Sequence, residues 1–243
     1  MPTYRIDVAY DGTGFHGYAR QGGLRTVQGE FETALFHRIG EVRTAVAGRT
    51  DAGVHAAGQV ISFTVDDSLD IGTLQRSLNS QLRPEIAVYA VSEVPDAFHA
   101  RFSATGRRYR YRIWNAPVHD PLSVRTTWHI SEPLDVPAMD RAVASLVGTH
   151  DFASFCRKAG GLSAVRELRE AVWSRKGDVV ELLIAANAFC HHMVRSIVST
   201  SVEVGRGRLD PEVALEILER RDRSFASGSA PSRGLTLISV EYQ

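Results

Sequence analysis

Residues 47–56 read Ala-Gly-Arg-Thr-Asp-Ala-Gly-Val-His-Ala, and this stretch is the most informative in the chain. It places Asp51 between two glycines, with Arg49 two residues before it. Glycines permit tight backbone and the close approach of a ligand, and a neighbouring guanidinium stabilises a carboxylate. The stretch is therefore typical of an aspartate displayed on a loop as nucleophile or general base. Because Asp-Ala-Gly is also an ordinary turn sequence, the rest of the chain must decide between the two interpretations.

Strands and helices are predicted on both sides of this stretch, from apolar residues that alternate or that recur every three to four positions. In the first part of the chain the patterns predict strands over 4–10, 42–47, 59–65 and 86–94, and helices over 27–39 and 71–82. The second part has strands near 108–114, 127–130, 170–174, 179–185 and 236–242, and helices over 136–147, 189–204 and 211–221. We therefore predict an α+β fold of two halves, residues 1–105 and 106–243, that share one sheet.

The composition excludes several classes of protein. Hydrophobic residues make up 44% of the 243 positions, and no apolar run approaches the roughly 20 residues of a membrane helix. The N-terminus lacks the apolar core of a secretory signal. The two cysteines, Cys156 and Cys190, are too few for a disulfide framework and fit a reducing compartment. We expect a cytoplasmic protein that does not associate with membranes.

The charge distribution is more informative than the net charge, which is zero from 28 basic and 28 acidic residues. A neutral chain does not by itself favour a nucleic-acid partner, since phosphate binding depends on Lys and Arg. Between residues 97 and 119, however, there is no acid, and the arginines are Arg101, Arg107, Arg108, Arg110 and Arg112. In a strand over 108–114, alternation puts Tyr109, Tyr111 and Ile113 on one face and arginines on the other. One face of this strand can stack on bases while the other meets phosphates.

Further segments, spread over nearly the whole chain, support the interpretation of Asp51 as a catalytic residue. They are residues 98–105 (Phe-His-Ala-Arg-Phe-Ser-Ala-Thr), 108–111 (Arg-Tyr-Arg-Tyr), 148–152 (Gly-Thr-His-Asp-Phe), 187–195 (Asn-Ala-Phe-Cys-His-His-Met-Val-Arg) and 234–237 (Gly-Leu-Thr-Leu). Together with residues 48–56, they resemble the TruA family of tRNA pseudouridine synthases in both content and order. One departure is visible: residues 17–21 read Gly-Tyr-Ala-Arg-Gln, where the family usually has Gly-Trp-Gln-x-Gln.

The resemblance implies a fold, an activity and a partner. The fold is that of the pseudouridine synthases, with two similar α+β halves sharing a mainly antiparallel sheet and a central active-site cleft. The activity is the isomerisation of uridine to pseudouridine in the tRNA anticodon stem-loop, at positions 38, 39 and 40. The resemblance further implies a homodimer, and it implies neither a cofactor nor a metal ion.

The resemblance also implies roles for particular residues. Asp51 is the catalytic carboxylate, and Arg49 assists in flipping the base. As the ion-pair partner of Asp51 we choose Arg195, whose long side chain could reach into a cleft from the edge of an apolar helical stripe. Tyr109 stacks on the target uracil. Arg195 follows His191 by four residues, so the two would share a face if this segment were helical. Weaker candidates for contacts with the RNA are Arg20, Arg101, Arg108 and Arg110.

Three other functions remain as alternatives at this point. Residues 12–17 match the Gly-x-Gly-x-x-Gly fingerprint of a dinucleotide-dependent oxidoreductase, but no predicted helix opens from it. The run Cys190-His191-His192 suggests a zinc hydrolase, although consecutive residues on a helix point about 100° apart and do not converge on one ion. An RNA-binding module without catalysis would have the same basic strand but no need for the two glycines around Asp51.

Overall fold

A computed structural model of the chain describes residues 1–157 and 163–243. These residues form two compact units, Met1–Thr105 with Thr236–Gln243 and, separately, Gly106–Leu235. The sequence prediction also placed a boundary after residue 105, but it assigned the final strand to the second half. That strand groups with the first unit because Thr236 and Leu237 pair with His55 and Ala56.

The described part of the chain contains ten strands and five α-helices. The strands are β1 (Thr3–Tyr10), β2 (Ala45–Val46), β3 (His55–Thr64), β4 (Ile86–Val94), β5 (Ala104–Trp114), β6 (Trp128–His129), β7 (Gly148–Asp151), β8 (Val165–Lys176), β9 (Val179–Ala186) and β10 (Leu235–Tyr242). The helices are α1 (Val27–Ile39), α2 (Ile71–Leu82), α3 (Val136–Ala144), α4 (Met193–Gly205) and α5 (Val213–Arg220). Among these helices, none has the length and hydropathy needed to cross a membrane. The predicted α+β class is confirmed.

The first unit is a sheet covered by two helices. β1 is antiparallel to both of its neighbours, β3 and β4. Along the other edge of β3 lie β2, which is antiparallel, and β10, which is parallel. The inward residues of β1 alternate as expected for a strand with one buried face, and α1 and α2 add to the core; the buried side chains are Tyr4, Ile6, Val8, Tyr10, Phe31, Leu35, Leu74 and Leu78.

The second unit is a sheet in the order β5-β9-β8-β7, antiparallel throughout, with β6 parallel to β5. As predicted, Tyr109, Tyr111 and Ile113 on β5 are buried, and the arginines between them are partly exposed. α3 packs against β8 and α4. At this crossing a Cβ on Gly205 would lie 2.6 Å from the sulfur of Met139, so a larger residue at the end of α4 would require the Met139 side chain to move.

Two elements of the second unit differ from the sequence prediction. Helix α4 begins at Met193 rather than at residue 189, because His192 has a left-handed backbone with φ of 66° that no helix continues through. The inference that His191 and Arg195 share a helical face is therefore wrong, since His191 precedes the helix. β7 was not predicted, because its sequence Gly-Thr-His-Asp carries no apolar alternation.

Candidate active site

Asp51 lies in the turn between β2 and β3, residues 48–54, which we call the Asp51 turn. Its carbonyl oxygen accepts a hydrogen bond from Val54 N at 3.1 Å. Gly53 has φ of +76°, a conformation that favours glycine. The side chain of Asp51 is half-buried and that of Arg49 is exposed. The segment is thus a turn, and it carries a guanidinium and a carboxylate two residues apart.

A glycine-rich loop, residues 11–18, packs against the Asp51 turn. Tyr18 N donates to the Thr50 carbonyl oxygen at 3.0 Å, and Gly53 N donates to the Phe15 carbonyl oxygen at 3.3 Å. A Cβ added to Gly12 would overlap with the carbonyl oxygen of Val54. The two backbones approach each other this closely because glycine has no side chain.

This packing explains the glycine fingerprint of residues 12–17 without a dinucleotide. A pyrophosphate site needs a helix that opens directly from the glycines, with its N-terminus facing the phosphates. Here α1 begins only at Val27, and Gly17 lies against the Asp51 turn instead. The oxidoreductase interpretation therefore lacks the structural context that it requires.

His55, the first residue of β3, holds the other end of the same loop. Its Nδ1 atom accepts a hydrogen bond from Gly12 N at 3.1 Å and lies 3.1 Å from Oδ1 of Asp11. The ring is only 5% exposed. The imidazole therefore ties the start of the loop to β3, four residues beyond Asp51.

The ring of Tyr18 is buried close to the ring of Tyr10, with the ring centroids 6.3 Å apart. Within the part of the chain that the structure describes, the Tyr18 hydroxyl has no hydrogen-bond partner.

Because an unsatisfied buried polar group costs about 1–3 kcal/mol, we expect Tyr18→Phe to raise the free energy of unfolding by about 1 kcal/mol. Urea denaturation monitored by circular dichroism measures this change. A destabilised variant would show that the hydroxyl contributes a stabilising contact.

Tyr109, the predicted stacking residue, lies on β5 in the second unit. Its side chain is 8% exposed, and the edge of its ring meets the ring of Phe189 with the centroids 5.2 Å apart. Edge-to-face contact of this kind fixes the orientation of an aromatic ring. Phe189 thus holds Tyr109 in place from the segment that leads into α4.

Arg195 lies in the first turn of α4 and is half-buried. Its Nε donates to the carbonyl oxygen of Ala230 at 2.7 Å, and Ala230 N donates to the carbonyl oxygen of Arg195 at 3.0 Å. This reciprocal pair fixes the guanidinium relative to the loop before β10. The sequence interpretation missed Ala230, because a backbone carbonyl carries no residue-specific signal.

Arg108 and Arg110, two of the predicted RNA-contacting arginines, have acidic neighbours across the sheet. Arg108 forms an ion pair with Glu170 at 2.5 Å, and Arg110 Nε lies 3.5 Å from a carboxylate oxygen of Glu181, which Arg112 also contacts. Burial and the charge of Arg112 lower the pKa of Arg110, while Glu181 raises it. The surface around this strand therefore carries less net positive charge than the sequence of the strand alone suggests.

Arg20 and Arg101 belong to the first unit. Arg20 is exposed and pairs with Glu32 at 3.1 Å. Arg101 is exposed at the segment before β5, with its guanidinium carbon 5.5 Å from the centroid of the Phe102 ring. Phe102 is itself 76% exposed, so an aromatic ring and a cation stand together at the surface.

The two cysteines lie together in the second unit as a disulfide, with their Cα atoms 5.7 Å apart, whereas the sequence analysis expected a reducing compartment, in which disulfides are rare. Cys190, His191 and His192 precede α4, so the helical-spacing argument against a zinc site does not apply to them. In this form the sulfur of Cys190 is bonded to Cys156 and does not serve as a thiolate ligand.

The structure thus places the candidate residues in two groups. Arg49 and Asp51 are presented by one turn of the first unit. Tyr109 and Arg195 belong to the second unit, where each is fixed by a partner of its own: the Phe189 ring and the Ala230 carbonyl.

The sequence was compared with family models and with known proteins, and both comparisons found similar proteins. The family model described as tRNA pseudouridine synthase matches residues 7–103 and 142–243. A protein of Frankia casuarinae named tRNA pseudouridine synthase A is 47% identical, over 98% of this chain and 88% of its own. Proteins of the same name from Moorella thermoacetica and Brevibacillus brevis are 45% and 43% identical, each over 100% of both chains.

Proposed function

The chain belongs to the tRNA pseudouridine synthase family, and from that membership we propose how its own residues carry out the reaction. The family isomerises uridine to pseudouridine in tRNA, so the chain is an isomerase. The N1–C1′ bond breaks, the base turns, C5 joins C1′, and the proton on C5 is lost while N1 gains one. No electrons are gained or lost. The reaction needs a carboxylate beside the ribose, a flipped nucleotide and a pocket for the detached uracil.

We assign roles in this reaction to Asp51, Arg195, Tyr109 and Arg49. Asp51 is the carboxylate that adds to C1′ or C6 of the nucleotide, or removes the C2′ proton. Arg195 is its ion-pair partner and keeps the carboxylate in one orientation. Tyr109 stacks on the uracil, which offsets part of the cost of flipping. Arg49 occupies the space that the flipped base leaves, or holds the RNA backbone.

The observation that carries this proposal is the construction of the Asp51 turn. Its backbone is hydrogen-bonded to the loop of residues 11–18 through Thr50 and Gly53, while the side chain of Arg49 is exposed and that of Asp51 is half-buried. A turn whose backbone is held by such hydrogen bonds keeps its carboxylate in a fixed position before the substrate binds. An ordinary surface turn has no need of such bracing.

The finer details of the function follow from the resemblance. The substrate uridines are those at positions 38, 39 and 40 of the anticodon stem-loop, and the enzyme acts as a cytoplasmic homodimer. The names of the relatives, which specify a tRNA pseudouridine synthase, support the tRNA substrate. Mass-spectrometric mapping of the modified tRNA tests the positions, and sedimentation equilibrium tests the dimer.

Tritium release from tRNA that contains [5-³H]uridine tests the activity itself. The protein is incubated with this tRNA in the presence of a chelator and without any nucleotide cofactor. We expect tritium to appear in water, because the new C5–C1′ bond displaces the hydrogen on C5. Binding of tRNA without release would leave an RNA-binding module, whereas metal-dependent hydrolysis or oxidation of a nicotinamide cofactor would favour one of the other enzymes.

Among the four arginines we propose Arg101 as a phosphate contact, because its cation is exposed beside the exposed ring of Phe102. We expect Arg101→Gln to weaken tRNA binding and to reduce the slope of log K against log salt by about one, as loss of one phosphate contact does. Arg110→Gln is the matched control: Arg110 faces Glu181 and is half-buried, so the slope should change by less. Filter binding at several salt concentrations measures both slopes. Equal slopes for Arg101→Gln and the unmodified protein would exclude Arg101 from phosphate binding.

A further inference from the structure

A buried chain of polar side chains connects the sheet of the first unit to the Asp51 turn. Tyr10 ends β1, Gln59 lies in β3 and Thr50 lies in the turn; they are 3%, 0% and 7% exposed. The Tyr10 hydroxyl is 2.8 Å from Thr50 Oγ1. Gln59 Nε2 donates to the Tyr10 hydroxyl at 3.2 Å and to the carbonyl oxygen of Gly48 at 2.8 Å. We call Tyr10, Gln59 and Thr50 the buried clamp.

The orientation of the Gln59 amide in the buried clamp can be assigned from its contacts. Val60 N donates to Gln59 Oε1 at 3.2 Å, so the amide group of Gln59 directs its two N–H bonds to Gly48 and Tyr10. Burial raises the pKa of Tyr10 to about 12, against the lowering effect of its bonds to Thr50 and Gln59. The phenol therefore keeps its proton at neutral pH, and the two hydroxyls of Tyr10 and Thr50 share one hydrogen bond in which either can donate. No member can turn away without leaving a buried polar atom unpaired.

The buried clamp fixes the backbone on both sides of Arg49. It binds the carbonyl of Gly48, one residue before Arg49, and the side chain of Thr50, one residue after it. The carbonyl of Thr50 is held separately by Tyr18 N at 3.0 Å. Because Thr50 directly precedes Asp51, these bonds set the direction in which the chain presents the carboxylate.

We propose that Tyr10, Gln59 and Thr50 are positioning residues for Asp51 and Arg49. They are buried and act through the turn rather than by contact with the RNA. The proposal rests on the proposed function of Asp51 and deepens it: the aspartate supplies the chemistry, and the buried clamp supplies its alignment. Misplacement of a reacting group by about 1 Å costs on the order of a hundredfold in rate, so alignment of this kind matters for turnover.

Tyr10→Phe tests the proposal because it removes one hydroxyl and keeps the ring. We expect kcat for tritium release to fall roughly tenfold to a hundredfold. KM for tRNA should stay within about twofold, because the RNA-contacting surface is unchanged. Steady-state kinetics over a range of tRNA concentrations separates the two constants.

Tyr4→Phe is the matched control. Tyr4 lies on the same strand, is 0% exposed, and its hydroxyl accepts a hydrogen bond from Leu69 N at 2.9 Å, away from the Asp51 turn. Both variants lose one buried phenol hydroxyl, so both should lower Tm to a similar extent. Only Tyr10→Phe should lower kcat.

A pair of substitutions at Thr50 tests the clamp from the side of the turn. Thr50→Val keeps the shape of the side chain and removes the hydroxyl, so kcat should fall as in Tyr10→Phe. Thr50→Ser keeps the hydroxyl and loses a methyl group, and it should restore most of the turnover that valine loses. This order is specific to the hydrogen bond, since a packing role would favour valine over serine.

The results distinguish failure of this inference from failure of the proposed function. If Asp51→Asn is inactive but Tyr10→Phe and Thr50→Val keep the kcat of the unmodified protein, the positioning role of the buried clamp is excluded. The catalytic role of Asp51 is then retained. An equal fall in kcat for Tyr4→Phe and Tyr10→Phe also excludes it, because the effect would then be general destabilisation. If Asp51→Asn is active, the proposed function itself fails.

Discussion

Replacement of Asp51 by asparagine is expected to abolish pseudouridine formation, leaving less than about one part in 10⁴ of the turnover. Asparagine is nearly isosteric with aspartate, but its NH2 group replaces one acceptor oxygen by a donor, and it can act neither as a nucleophile nor as a base. Binding of tRNA should stay within about tenfold, or roughly 1.4 kcal/mol, because the shape of the turn is retained. Single-turnover tritium release measures the first quantity and filter binding the second.

Asp7→Asn provides the control for this experiment. Asp7 lies on β1 in the same unit, is partly buried and pairs with Arg5 at 2.7 Å, so the chemical change is the same. Loss of such a pair should cost no more than about 1 kcal/mol of stability and should leave turnover intact. Substantial turnover by Asp51→Asn would remove Asp51 from the catalytic role. A loss of tRNA binding in place of turnover would assign its carboxylate to recognition.

The fold was predictable where burial follows a simple period along the chain. On β5 the alternation of Tyr109, Tyr111 and Ile113 identified the buried face, because a strand repeats every two residues. The start of α4 was not predictable in this way. Apolar residues at helical spacing extend N-terminally from Met193 to Phe189. The helix nevertheless begins only at Met193, because His192 has a left-handed backbone, and side-chain periodicity does not report backbone conformation.

The candidate site was predictable where its parts are neighbours in sequence. Arg49 and Asp51 lie in one short segment, so the glycine-flanked turn could be seen directly. The buried clamp depends on strand register instead: β1 and β3 pair antiparallel with Val8 opposite Gln59, which brings Gln59 to Tyr10 across 49 residues of sequence. Pairing across strands likewise sets Glu181 opposite Arg112, and no local pattern predicts that partner.

Arg195→Gln is expected to lower turnover roughly a hundredfold to a thousandfold, where each tenfold step corresponds to about 1.4 kcal/mol of transition-state stabilisation. The guanidinium is half-buried, and Ala230 holds its Nε at 2.7 Å. With Nε engaged, pairing with a carboxylate uses the two terminal nitrogens of the planar fork. Lysine has no such fork, so Arg195→Lys should restore only part of the loss. Single-turnover rates at saturating enzyme measure all three forms.

Arg233→Gln separates pairing with Asp51 from a general effect of charge. Burial raises the pKa of Tyr111, and the charges of Arg195 and Arg233 both lower it, so both arginines act on the same buried phenol. Arg233 also resembles Arg195 in its anchor, since its Nε donates to the Thr127 carbonyl oxygen at 3.1 Å. We expect Arg233→Gln to keep turnover within about threefold, as for a residue outside the reaction. Equal losses in both variants would trace the effect to the surroundings of Tyr111, and Arg195 would no longer be the partner of Asp51.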